Sequence, residues 1–124
     1  MRSIGLSILA LAALTLAGCG GDKAAGPGDE VARCATCHSF DKDGAKRSGP
    51  NLHDILGKTA GTQAGFTYSN AMKGSGVTWT AETLDAFIAA PNKIVPGNRM
   101  GFAGEADAAR RKAIIAYIEA ESAK

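Results

Sequence analysis

The chain has 124 residues, 14 lysines and arginines against 12 aspartates and glutamates, 45% hydrophobic residues and three cysteines. So small a net charge gives no support for nucleic-acid binding, which favours a clustered basic surface. A chain of this length holds one small domain with a modest core, the kind that often takes a staple such as a disulfide, a metal or a cofactor.

The predicted elements begin with an export segment. Met1-Arg2-Ser3 supplies a short positive start, and Ile4 to Ala17 is almost wholly apolar. These residues make roughly 21 Å of helix, short of the ~30 Å hydrocarbon core, so a processed signal is the expectation rather than a spanning anchor. Its end, Leu16-Ala17-Gly18-Cys19, resembles a bacterial lipoprotein signal, in which the cysteine becomes the lipidated first residue of the mature chain. The expected organisation is a signal peptide over residues 1–18, cleaved before Cys19, a flexible linker over 19–28 and a functional domain over 29–124. The linker's "GGDKAAGPG" reaches ~30 Å at most when extended.

A short helix is expected next, with Asp29 and Glu30 in its first turn. From Phe40 to Trp79 the chain is rich in glycine and turn formers, with no convincing strand and one helical turn at Asn51 to Leu56. So long a stretch with little regular structure argues against a compact domain unless the loops wrap a large apolar object. Two firmer helices follow. Thr80 is placed as an N-cap, Leu84, Phe87 and Ile88 form an apolar face, and Pro91 ends the element. The last helix is expected from Glu105 or Asp107 to Glu121, with Ile114, Tyr117 and Ile118 along one side. The fold class is all-α, with three to five short helices.

The chemistry sits in "RCATCHSF", residues 33 to 40. C-x-x-C-H is the attachment signature for c-type haem. Each thiol adds across one haem vinyl group, and the adjacent His38 is then held beneath the iron. The export segment agrees, since this attachment belongs outside the cytoplasm. Three rivals are weaker. A thioredoxin-like dithiol wants a βαβ setting, a zinc site would need Cys34, Cys37, His38 and His53 without the usual paired-histidine spacing, and a disulfide closes too short a loop to add much.

A haem iron then takes a sixth ligand or keeps an open site. Met72 and Met100 are the sulfur candidates and His53 the nitrogen candidate. Both methionines lie in expected loops, so spacing excludes neither. Met100, in "PGNRMGF" between two helices, is preferred.

"CATCHSF", "SGPNLHDILG", "AGFTYSNAMK", "GVTWTAETLDAFIAAPNKIVPGNRMGFAG" and "IIAYIEA" together resemble a class I cytochrome c, close to the mitochondrial and bacterial c2 branch, over residues 34 to about 120. The resemblance implies helices wrapped around one haem c bound through two thioethers to Cys34 and Cys37, with His38 and Met100 as axial ligands. It implies that the Pro50 carbonyl accepts the His38 ring N–H, which orients the ring and raises its basicity. Tyr68 and Trp79 are similar to residues that donate to a buried haem propionate, and Lys58 to a basic group near it. The chain also departs from the pattern. Glu30 and Val31 stand where the family's first helix carries an aromatic, so Tyr117 is expected to meet a smaller partner. Phe87 and Met72 replace a tyrosine and an asparagine common among relatives, so no relative's potential transfers.

The function implied is one-electron transfer rather than an enzyme's turnover of a small molecule, with electrons leaving through an edge near Cys37 and Phe102. Lys46, Lys58, Lys73, Lys93 and Arg99 are expected to ring that edge and steer an acidic partner. Partners would be a donor such as a cytochrome bc complex and an acceptor such as a terminal oxidase, reductase or photosynthetic reaction centre. The expected location is periplasmic, lipid-anchored through Cys19, as a shuttle or a bound subunit. The alternative is a haem-based peroxidase or gas sensor with a labile distal methionine.

Overall fold

The computed structural model describes residues 28–124; the lipidation candidate Cys19, the signal segment and all of the linker but Gly28 lie outside them. Among these described residues five helices follow in order: α1 (Asp29–Ala35), α2 (Asn70–Lys73), α3 (Ala81–Ala89), α4 (Pro91–Ile94) and α5 (Ala108–Ser122). The only strand-like pairing among the described residues is an isolated antiparallel bridge between Thr59 and Thr78. No helix there is long and apolar enough to cross a membrane.

Local chemistry sets the helix ends. The Thr80 hydroxyl accepts from the Thr83 backbone N–H, and the Thr83 hydroxyl accepts from the Thr80 N–H, a reciprocal cap worth about 1 kcal/mol. Asp107 caps α5 by accepting from the backbone N–H groups of Ala109 and Arg110. Of the two expected starts, Glu105 and Asp107, the helix thus takes the second, and Glu105 lies outside it. Pro91 does end α3, and it also opens α4 from the first helical position, where its missing N–H costs nothing.

Two other expectations are corrected. Asn51–Leu56 is a run of turns rather than a helical turn, because Asp54 takes a φ of 58° and the Asn51 side chain binds the Asp41 carbonyl at 2.8 Å. Met72 lies not on a loop but in α2, capped by the Ser69 hydroxyl.

α5 packs against α1 and α3, and α4 against α3. The core joins Val31 of α1, Leu84 and Ile88 of α3, and Ile114, Ile115 and Ile118 of α5, with Phe40 from the loop after α1. Ile118 is 1% exposed, so its burial contributes about 1.5–3 kcal/mol. Tyr117 does not meet a small partner. It stands edge-on to Phe40, ring centres 5.0 Å apart, so an aromatic from the loop fills the place the short first helix leaves.

Candidate functional site

α1 ends in a turn that carries all three residues of the motif. The N–H groups of Cys37 and His38 both bond the Cys34 carbonyl, at 3.0 and 2.9 Å, so the two thiols and the imidazole issue from one bend of the chain. Neither thiol is in a disulfide; Cys34 is half-buried and Cys37 exposed. Burial pushes the Cys34 thiol above its ordinary value, with the Arg33 charge opposing, so the group is protonated at neutral pH.

His38 is fixed from the next loop. Its Nδ1–H donates to the Pro50 carbonyl at 2.7 Å, since a carbonyl can only accept, and Nε2 is left with its lone pair. Burial pushes the imidazolium below its ordinary value, so the ring is neutral and able to bind a metal. The loop is held in turn by Gly49 N–H on the Cys37 carbonyl and Leu52 N–H on the Ser39 carbonyl, both 2.8 Å. Gly49 is required there: a Cβ would collide with the His38 ring.

The Met100 loop is ordered by a residue the sequence did not mark as functional. Asn98 donates its amide to the Val95 carbonyl at 2.9 Å and to the Asn92 side chain at 3.0 Å, while its side-chain oxygen accepts from the Met100 N–H at 2.9 Å. An asparagine bonding the backbone two residues on is a turn signal the sequence offers at "GNRM". Phe102, two residues past Met100, is part-buried against the core.

A third wall brings Lys58, Tyr68 and Trp79 together. The pairing of Trp79 N–H with the Lys58 carbonyl and of Gly57 N–H with the Trp79 carbonyl sets these segments side by side. Trp79 stacks edge-on against Phe87 of α3, 5.0 Å between centres. A cavity of about 20 Å³ opens between Lys58, Gln63, Tyr68 and Trp79. Burial raises the Tyr68 phenol, with the Gln63 backbone N–H opposing, so the hydroxyl stays protonated and can donate. The buried side-chain oxygen of Gln63 has no partner among the described residues, while its nitrogen donates to the Asn51 carbonyl at 3.0 Å. Lys58, Tyr68 and Trp79 line the cavity with groups that can donate to an anion, while the Gln63 oxygen, which can only accept, calls for a donor instead.

The other candidates are placed differently. The His53 Nδ1 is engaged with the Phe40 carbonyl at 3.2 Å, and its backbone N–H with the Asn51 side chain. Among the described residues no group of three or more His, Cys, Asp or Glu is arranged to hold a metal ion, so the zinc alternative has no ligand set. Lys46, Lys58, Lys73, Lys93 and Arg99 are all exposed, with Lys58 3.7 Å from Asp54 and Arg99 on the Thr67 carbonyl at 3.4 Å. Arg33 was not among the expected rim charges, yet its guanidinium lies 5.3 Å over the Phe102 ring and 3.2 Å from Glu105.

No protein-family model matches the chain. It is 49% identical over 92 residues to cytochrome c 2.1 of Caenorhabditis elegans, covering 74% of this chain and 82% of that protein. The chain belongs to the class I cytochrome c family. Cytochrome c of Chlamydomonas reinhardtii is 42% identical over 103 residues, 83% of this chain and 92% of its own. The structure of cytochrome cH from Methylobacterium extorquens aligns with a TM-score of 0.67 at 39% identity, covering 73% of this chain and 91% of that one. The fold is thus that of a class I cytochrome c, a family of electron carriers with one covalent c-type haem. Cys34 and Cys37 of this cytochrome stand in the C-x-x-C-H attachment position. The site fits that group: two unpaired thiols, a neutral imidazole with its Nε2 free, and a small cavity lined by Lys58, Tyr68 and Trp79, which can donate to a carboxylate.

Proposed function

We propose that this cytochrome c holds its haem through thioethers to Cys34 and Cys37, binds the iron with His38 and Met100, and passes single electrons between membrane complexes. The observation that carries the ligand assignment is the 2.7 Å bond from His38 Nδ1–H to the Pro50 carbonyl, one turn from two unpaired thiols. When bound, the haem supplies a one-electron ferric–ferrous couple.

The chain's own residues tune and protect that couple. Pro50 holds the tautomer and orientation of His38 and makes it a better donor. The Asn98 turn presents Met100, a soft neutral thioether that favours the lower-charged ferrous state and raises the potential. Tyr68, Trp79 and Lys58 would hold a propionate at the small cavity. If His38 and Met100 both hold the iron, no coordination site would remain for a substrate, which favours a carrier over an enzyme. Phe102 and Cys37 flank the exposed edge through which electrons leave.

Docking follows from the exposed Lys46, Lys58, Lys73, Lys93 and Arg99, which suit an acidic partner face and give salt-sensitive encounters. The export segment and "LAGC" support lipidation at Cys19, with residues 19–28 as a tether on the outer side of a bacterial cytoplasmic membrane. Donor and acceptor are then of the class of a cytochrome bc complex and a terminal oxidase, reductase or reaction centre.

Met100→Ala tests the assignment. The variant keeps covalent haem, lowers the potential and binds carbon monoxide when reduced. A spectrum and potential unchanged from wild type would move the ligand to Met72 or His53.

A further inference from the structure

Glu105 is a buried carboxylate, 9% exposed, in the segment that joins the Met100 loop to α5. A charge so placed is costly unless paired. Its main partner is Arg33, which stands directly before Cys34 on α1. The guanidinium approaches Glu105 at 3.2 Å and lies 5.3 Å over the Phe102 ring, while Arg110 reaches the same carboxylate only at 4.0 Å. The other carboxylate oxygen accepts from the Asp107 N–H at 3.0 Å, and the backbone is pinned by Glu105 N–H on the Ile88 carbonyl at 2.9 Å. Gly104, with a φ of 118°, lets the chain turn here against α3, where a Cβ would collide with the Ala89 carbonyl.

We propose that Arg33 is a positioning residue, clamping the Met100–Glu105 segment onto the haem-attachment helix through Glu105 and Phe102 and so setting how often that segment opens. The clamp is an ion pair plus a cation over an aromatic face, and both contacts join points 69 and 72 residues apart in the chain. In its relevance to the iron it rests on the reading of Met100 as ligand; in its effect on the segment it does not.

The test is native-state hydrogen exchange on the haem-loaded protein, following the bonded amides of Asn98, Met100 and Glu105, with an amide of the buried Ile118 turn as the global reference. Arg33→Ala strands the carboxylate with a distant partner, and exchange at the three amides rises about five- to ten-fold, with the Ile118 amide little changed. In a Glu105→Gln background, where no buried charge needs the clamp, the same Arg33→Ala change has about two-fold effect or less. Arg33→Lys keeps the charge but not the planar stack and falls between. Equal exchange in all variants overturns the clamp; so does a rise shared equally by Ile118, which would mean simple global destabilisation.

A second readout separates the clamp from the ligand assignment. Imidazole binding to the ferric protein saturates at the opening rate of the segment when Met100 must first leave the iron, and Arg33→Ala raises that plateau by up to the factor seen in exchange, the remainder falling on reclosing. If the wild type binds imidazole with no plateau, the ligand reading fails while the exchange result still decides the clamp.

Discussion

Replacing Gly49 with alanine drives a methyl group into the ring of His38. An added Cβ would stand 2.7 Å from Nδ1 and 2.9 Å from Nε2, where ordinary carbon contacts begin near 3.5 Å. The ring must retreat by roughly 1 Å, which stretches its bond to Pro50 beyond hydrogen-bonding range. Overpacking of this kind costs about 1–3 kcal/mol, and leaving a buried donor and acceptor unpaired costs about 1–3 kcal/mol more. The sum, about 2–6 kcal/mol, is a large part of the total stability of a small domain. In thermal unfolding of the haem-loaded protein followed by circular dichroism, the variant should melt at least about 10 °C lower. Its sulfur-to-iron absorption should also change, since the ligand opposite is disturbed. A melting point within a few degrees of wild type, with an unaltered spectrum, would refute the claim that Gly49 is there to admit the imidazole.

Ile118→Ala, at a side chain 1% exposed between α5 and its neighbours, should cost about 2–5 kcal/mol in denaturant unfolding without moving the ferrous spectrum. A cost under about 1 kcal/mol would mean the α1–α3–α5 core is looser than its burial suggests. Cys19→Ser should release the protein from membranes into the soluble fraction with its visible spectrum intact; persistence in the membrane pellet would exclude the lipid anchor.

What the sequence disclosed depended on how local the cause was. Cys34, Cys37 and His38 were legible as one motif because their spacing is local, and the structure sets them on one bend of the chain; Thr80 was legible because a cap is decided within one turn. The Asn51–Leu56 segment was misread as helical. Its apolar residues have helical spacing, but Asn51 spends its side chain on the loop around Asp41 and Gly44, and Asp54 crosses to positive φ. Glu105 and Asp107 both read as helix-opening acids. The fold assigns the cap to Asp107 and turns Glu105 inward to Arg33, a contact between residues far apart in the chain. The pairing of Tyr117 with Phe40 was hidden for the same reason, being a contact between residues far apart in the chain. The Asn98 turn has a local cause, an asparagine bonding the backbone two residues on, and is written in "GNRM".

The most direct test of the account is the visible spectrum of the wild-type protein made in cells that attach c-type haem. It is recorded ferric, then ferrous, then ferrous with carbon monoxide at neutral pH. His38/Met100 ligation predicts a weak red sulfur-to-iron band in the ferric form and no response to carbon monoxide in the ferrous form. A missing band together with a carbon monoxide adduct would contradict it, and would make the iron an open site for a peroxide or a gas.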